Sequence, residues 1–293
     1  MPALPRAPSP TGAPLALPAA FPAAHRAASP AAHQAASPPA PPPSPAVTSR
    51  RGRESKAQKH LRAHAIVEAL KVAYPRSTCA LDHATAFQLL VATVMSAQTT
   101  DLAVNAATRT LFKRFPDAAA MAAAPDGAIE RLIDSIGLWR AKAKHIRALS
   151  RILVERHGGE VPRTMEELTA LPGVGRKTAT AVLGTAFGIA AGITVDTHML
   201  RINALLRLST KADPEKMAAE LEGLVPPREW TAYTHRIIDH GRLVCVARRP
   251  RCGVCPLDHL CPSARDAKAG YKVEHDAKLP ASAAGLSWRR LER

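Results

Sequence analysis

The run LPGVGRKTATAV, residues 171–182, sets Lys177 two residues beyond the turn Gly173-Val174-Gly175, at the start of a helical pattern. Glycines there let the backbone turn tightly and leave its N–H groups uncovered, directed at an anion near the start of the next helix. Leu171-Pro172 closes a short helix just before, so the segment reads as a helix-hairpin-helix, a grip on phosphate that carries no sequence information. Gly173, Gly175 and Arg176 are its contact residues. The lysine is the distinguishing group. An ordinary lysine is neutral in about one molecule in a few thousand at pH 7. Partial burial beside the positive end of a helix would favour the neutral amine, which can attack carbon. The plainer alternative is one more phosphate contact.

Asp196 lies 19 positions after Lys177, in GITVDTHMLRINALL, ahead of Met199, Ile202, Leu205 and Leu206 at helical spacing. It reads as a helix N-cap, which fixes a carboxylate in direction. The intervening chain holds one helix and a reversal, so the amine and the carboxylate can face each other across a groove.

Four of the five cysteines crowd into 17 residues, CVARRPRCGVCPLDHLC, as Cys245, Cys252, Cys255 and Cys261. Their spacing, Cys-x6-Cys-x2-Cys-x5-Cys, can enclose one metal centre without help from distant chain. Two disulfides would add little to so short a segment. A tetrahedral zinc site and a [4Fe-4S] cluster both take four thiolates. Zinc sites normally pair two Cys-x2-Cys knuckles, and here only the middle pair has that spacing. The wider gaps favour the larger cluster, with zinc as the alternative. A loop closed by metal would present Arg248, Arg249 and Arg251 as a fixed array of guanidiniums suited to a phosphate backbone. Cys79, standing alone, reads as a small buried thiol.

The elements that must position these groups are helical. From Ala57 onward the apolar pattern never alternates convincingly. One stripe runs through Leu61, Ala65, Ile66, Ala69, Leu70 and Ala73 to Pro75, and a second through Phe87, Leu90, Val91, Val94 and Met95. Val104, Leu111 and Phe115 mark a third, with short helices expected at 117–123 and 126–135. A long helix from Trp139 to His157 turns Ile146, Leu149, Ile152 and Leu153 inward and stops at Gly158-Gly159. Thr164 and Glu167 stand in capping-box spacing, and Ala179, Val182, Leu183, Ala186 and Phe187 line the helix that follows the glycine turn. Asp213-Pro214 starts another. About ten helices and no strand make an all-α protein.

Lys and Arg number 40 against 24 Asp and Glu, a formal net charge of +16, which favours a polyanionic partner. No uninterrupted apolar run of about 18 residues occurs, so no membrane span is expected. The first fifty residues are rich in Ala, Pro and Ser and carry only Arg6, Arg26 and Arg50 as charges, a composition that cannot bury a core. A disordered tail is expected there, and its proline content argues against a transit peptide.

MSAQTTD, LPGVGRKTA, VDTHMLR and the four-cysteine spacing, in that order along the chain, resemble the endonuclease III family of bacterial DNA glycosylases, over about 70 % of the sequence, Lys56 to Pro262. The resemblance implies Lys177 as the nucleophile on C1′ of a damaged nucleotide and Asp196 as the group that activates it and stabilises positive charge on the sugar. It implies a [4Fe-4S] cluster on Cys245, Cys252, Cys255 and Cys261. Gln98 and Leu138 match residues that fill the gap left by an extruded base. The implied reaction removes oxidised pyrimidines and nicks abasic sites in double-stranded DNA by β-elimination through a lysine Schiff base. Trp139, where tyrosine is common, and a longer GIAAGI stretch depart from the family pattern and put damage preference in doubt.

The implied architecture is two helical domains flanking a DNA groove: a six-helix barrel with the helix-hairpin-helix at 79–190, and an iron–sulfur cluster domain of 55–78 with 191–262. Residues 1–54 form a tail and 263–293 a C-terminal extension. A monomer in the bacterial cytoplasm, at the nucleoid, is expected. The alternatives are a non-catalytic, cluster-stabilised DNA-binding module and an adenine-mismatch glycosylase; the latter lacks the hairpin lysine and carries a further C-terminal domain, whereas Lys177 is present here.

Overall fold

The computed structural model describes residues 54–264 and the backbone of 271–275 and 286–290. The Ala/Pro-rich tail, apart from Glu54, and the rest of the C-terminal extension lie outside the described residues. Eleven α-helices form the described body: α1 (Lys56–Ala73), α2 (Ala86–Met95), α3 (Asp101–Arg114), α4 (Ala118–Ala122), α5 (Ala128–Ile133), α6 (Trp139–His157), α7 (Met165–Thr169), α8 (Arg176–Phe187), α9 (Thr197–Leu205), α10 (Pro214–Glu222) and α11 (Trp230–Leu243). Among the described residues no helix is long and apolar enough to cross a membrane. Outside the helical body, Tyr271–His275 (β1) and Leu286–Arg290 (β2) pair antiparallel, with Val273 opposite Trp288. This element of the extension went unforeseen.

Local chemistry sets the helix ends. Ser55 caps α1 in a reciprocal box with Gln58. Asp213, with Pro214 at the first helical position, caps α10. Gly158 and Gly159, both at positive φ, end α6 with the Gly159 N–H bonded back to the Leu153 carbonyl. Helix α11 shows no apolar stripe in the sequence, because its buried residues, Tyr233, Thr234, Ile237, His240 and Gly241, include polar groups and a glycine.

Burial separates the apolar side chains into two cores. One is built from chain positions 81–183 and includes Leu90, Met95, Leu111, Ile133, Ile146 and Leu149. The other joins Ala63, Ile66, Val67 and Leu70 of α1 to residues from Ile193 to Leu257. Helix α1 therefore packs on chain more than a hundred residues away. Its buried face is narrower than the stripe suggested: Leu61 is exposed and Ala65 and Ala69 lie at the edge. In the second core the fully buried Tyr233 hydroxyl donates to Asn203 Oδ1.

The helix-hairpin-helix consists of α7, the turn 170–175 and α8, and its two glycines have different reasons to be there. Gly173 is left-handed, with φ +79°, and a Cβ on it would lie 2.8–2.9 Å from the His145 ring of α6. Gly175, the N-cap of α8, has φ −87°, and a Cβ on it would meet open space. Gly173→Ala is expected to lower the thermal unfolding midpoint by the equivalent of about 1–3 kcal/mol. Gly175→Ala should change stability by less than about 0.5 kcal/mol. Equal midpoints for the two variants in a melting experiment would contradict this reading of the turn.

Candidate active site and metal centre

Lys177 is the second residue of α8, and its side chain opens into a cleft of about 430 Å³ that Asp196 also lines. The cleft takes Gln98 and Asp101 from one core's side and Thr234, His235 and Arg242 of α11 from the other's. The burial expected for Lys177 is not found. It is exposed, as are Gly173, Gly175 and Arg176 beside it, because the start of α8 opens on free space.

Asp196 caps α9, and its Oδ1 accepts from the Met199 N–H at 2.8 Å. Buried Ile193 and Val195 anchor the approach to it. The Ile193 N–H donates to Glu222 Oε1 of α10 at 2.9 Å, and Gly192, at φ +140°, leaves the space that this carboxylate enters. The carboxylate is thus fixed in direction, and no ion pair joins it to Lys177. Burial pushes the neighbouring His198 imidazole below its ordinary value, against the opposing pull of Asp196. Burial also lowers His235 on the α11 wall.

Several groups that build the cleft had no signal in the sequence reading. Arg242 of α11 donates to Asp101, the first residue of α3, at 2.6 Å, and Ser77 donates to Asp239 at 2.5 Å. The first contact joins chain segments of different cores and the second two segments 162 positions apart, so neither could be read from local spacing. Lys142 of α6, only 4 % exposed, donates to the Thr99 hydroxyl at 2.7 Å. Thr99 neighbours Gln98, and a Cβ on Gly137 would touch the Gln98 carbonyl oxygen at 3.7 Å, so the Gln98 and Leu138 loops lie side by side. Gln98 and Leu138 share a rare backbone, φ +54° and +57°, and Leu138 is 59 % exposed.

The second site follows α11. The Cys245 N–H bonds the His240 carbonyl, and the Arg251 N–H closes the loop onto the Val244 carbonyl at 2.9 Å. Buried Leu257 pins the loop to the second core. Cys245, Cys252, Cys255 and Cys261 line one cavity together with His240 and Leu205. None of the four forms a disulfide, nor does Cys79, which lies at the cleft instead. Among the described residues no three His, Cys, Asp or Glu side chains are grouped to hold a single metal ion.

The donor set is nonetheless that of an iron–sulfur site: four sulfurs around one cavity, with N–H groups directed at them. Arg201 Nη1 lies 3.6 Å from Cys245 Sγ, and the Leu257 N–H lies 3.4 Å from Cys255 Sγ. Burial pushes the Cys255 thiol up to about 12 and raises Cys245 and Cys261, so these sulfurs ionise only with a cation to compensate them. Burial lowers His240 to about 4. Arg248, Arg249 and Arg251 stand exposed on the closed loop.

Residues 91–227 match the family described as HhH-GPD superfamily base excision DNA repair protein, and residues 245–261 match the iron–sulfur binding domain of endonuclease III. Endonuclease III of Synechocystis sp. is 52 % identical over 209 residues, 71 % of this chain and 95 % of the relative. Among solved structures, a non-covalent endonuclease III–DNA complex superposes with TM-score 0.66 at 38 % identity, covering 72 % of this chain and 98 % of that one. A trapped endonuclease III–DNA covalent intermediate gives TM-score 0.65 at 37 % identity, covering 71 % and 98 %. The second match decides between zinc and iron–sulfur in favour of the [4Fe-4S] cluster. The chain therefore belongs to the endonuclease III family, the iron–sulfur DNA glycosylases and lyases of base excision repair.

Proposed function

We propose that Lys177 is the nucleophile and Asp196 its partner in releasing oxidised pyrimidines from double-stranded DNA and nicking the resulting strand. The observation that carries this reading is the placement of both side chains, each at the first turn of a helix, in one cleft large enough for an extruded nucleotide. Asp196 receives the proton that the Lys177 ammonium must lose. The Nζ lone pair then forms a bond to C1′, and the glycosidic bond breaks with its electron pair leaving on the base, which takes up a proton. Opening of the sugar ring leaves an imine between Nζ and C1′. Loss of a C2′ proton forms the C2′–C3′ double bond and expels the 3′ phosphate.

Base extrusion has to precede attack, because a stacked base shields its sugar carbon. Gln98 and Leu138 would fill the vacated stack, a role supported by their adjacent loops, their exposure and the left-handed backbone at each. Gly173, Gly175 and Arg176 would hold one phosphate stretch, and Arg248, Arg249 and Arg251 another, with the bare space over Gly175 admitting the backbone closely. Cys245, Cys252, Cys255 and Cys261 would hold the cluster beside the arginine loop, where it would supply one-electron chemistry. The two cores support a division into a barrel domain at 79–190 and a cluster domain of 55–78 with 191–262, between a tail at 1–54 and an extension at 263–293. The reading is of a monomer in a bacterial cytoplasm, acting at the nucleoid.

Two experiments test this reading. Borohydride reduction of wild-type protein with abasic duplex DNA should give a covalent complex, and Lys177→Ala should give none while still retarding DNA in a gel. Binding without trapping by the wild type would favour a non-catalytic module instead. Leu138→Gly removes the wedge and about 1–3 kcal/mol of backbone strain, offset by the roughly 0.5–1 kcal/mol that glycine costs in chain entropy. Its melting midpoint should be unchanged or slightly raised. Single-turnover base release from a duplex carrying one oxidised pyrimidine should slow about tenfold or more, a loss of roughly 1.4 kcal/mol from the few that extrusion requires. Release at the wild-type rate would exclude Leu138 as the wedge.

A further inference from the structure

Tyr74 caps the end of α1, and its hydroxyl lies 2.8 Å from Nδ1 of His240 on α11. The two rings meet edge to face, with centroids 5.8 Å apart. Nε2 on the far side of the imidazole lies 3.7 Å from Cys255 Sγ. His240 is 2 % exposed, so its ring nitrogens meet protein groups, and each has one such group in reach.

The proton positions in this chain are determined by the ligand at its end. A cysteine that ligates a cluster is a thiolate and can only accept a hydrogen bond. Nε2 must therefore carry the ring's proton. In the tautomer that carries its hydrogen on Nε2, Nδ1 is the acceptor, and the Tyr74 O–H, 2.8 Å away, donates to it. The opposite tautomer would point a nitrogen lone pair at a thiolate. The tyrosine hydroxyl, two groups away from the metal centre, selects the tautomer that places a donor on the sulfur.

We infer that Tyr74, acting through His240, sets the reduction potential of the cluster by holding an N–H donor on Cys255. The inference rests on the family's cluster being bound by these four cysteines. Donors to ligand sulfurs raise a cluster's potential, because they stabilise the extra negative charge of the reduced state. Cys255 receives the Leu257 N–H as well, and Cys245 receives Arg201, so the His240 bond is one of several donors. It differs from them in depending on a side chain of α1, at the other end of the chain. Tyr74 and His240 do not line the cleft that holds Lys177, so changes there should leave the chemistry on DNA in place.

The test uses the purified holoprotein, with iron and sulfide content, the midpoint potential of the cluster couple by protein-film voltammetry, and borohydride trapping measured on each variant. Tyr74→Phe should keep wild-type iron, sulfide and trapping, and its midpoint should move to a more negative potential. His240→Gln, whose amide can still donate, should fall between wild type and His240→Leu. Adding Tyr74→Phe to His240→Leu should produce no further shift, because the tyrosine acts only through the ring. A wild-type midpoint in Tyr74→Phe, or equal shifts for it with and without His240, would overturn the relay. Should the His240 variants fail to load, loss of an exchangeable-proton coupling to the oxidised cluster in Tyr74→Phe, read by pulsed electron–nuclear resonance, supports the relay, and an unchanged coupling refutes it. Wild-type protein lacking iron and sulfide would overturn the cluster assignment itself, a failure distinct from that of the relay.

Discussion

Two helix starts on one cleft are the constraint on which the site depends. Helix α8 begins beside Lys177 and α9 begins at Asp196, and the chain between them runs one helix out and returns through 188–195. A backbone N–H locks the carboxylate at 2.8 Å, whereas the amine stands on an exposed turn. One partner is fixed and the other can reach, an arrangement suited to a nucleophile that must follow a sugar carbon through several bond changes. The long return loop holds its line because Glu222 bonds the Ile193 N–H and because Gly192 leaves room for that carboxylate.

Helix α11 connects this cleft to the metal centre. Its residues Thr234, His235, Asp239 and Arg242 face the cleft, while His240, from the same last turns, faces the cysteines. The cluster site begins directly at its end, with Cys245 bonded to the His240 carbonyl. Cys245, Cys252, Cys255 and Cys261 would hold the cluster directly beyond this helix, so its binding would be coupled to the folding of the segment next to the cleft wall.

Much of this was legible in the sequence, for physical reasons. The hairpin glycines, the N-cap aspartate and the cysteine spacing are local patterns whose meaning survives without tertiary context, and ten helices could be placed from caps and apolar period. What was hidden needed the third dimension. The pairs Arg242–Asp101 and Ser77–Asp239 join residues 141 and 162 positions apart, and the Tyr74–His240 contact spans 166. Helix α11 escaped because its buried side includes Thr234, His240 and Gly241 rather than a run of leucines. The burial expected of Lys177 failed because a charge-bearing turn stays open where a large ligand has to approach. The different reasons for Gly173 and Gly175 could not be separated without φ and the position of His145.

The central claim is that the Lys177 nitrogen makes the bond to DNA. Proteolysis of a borohydride-reduced complex with abasic DNA, followed by mass spectrometry of the nucleotide-bearing peptide, locates that bond directly. The account predicts the modified residue to be Lys177, in the peptide that begins α8. An adduct on Lys142, Lys144 or the N-terminal amine, with Lys177 unmodified, would contradict it.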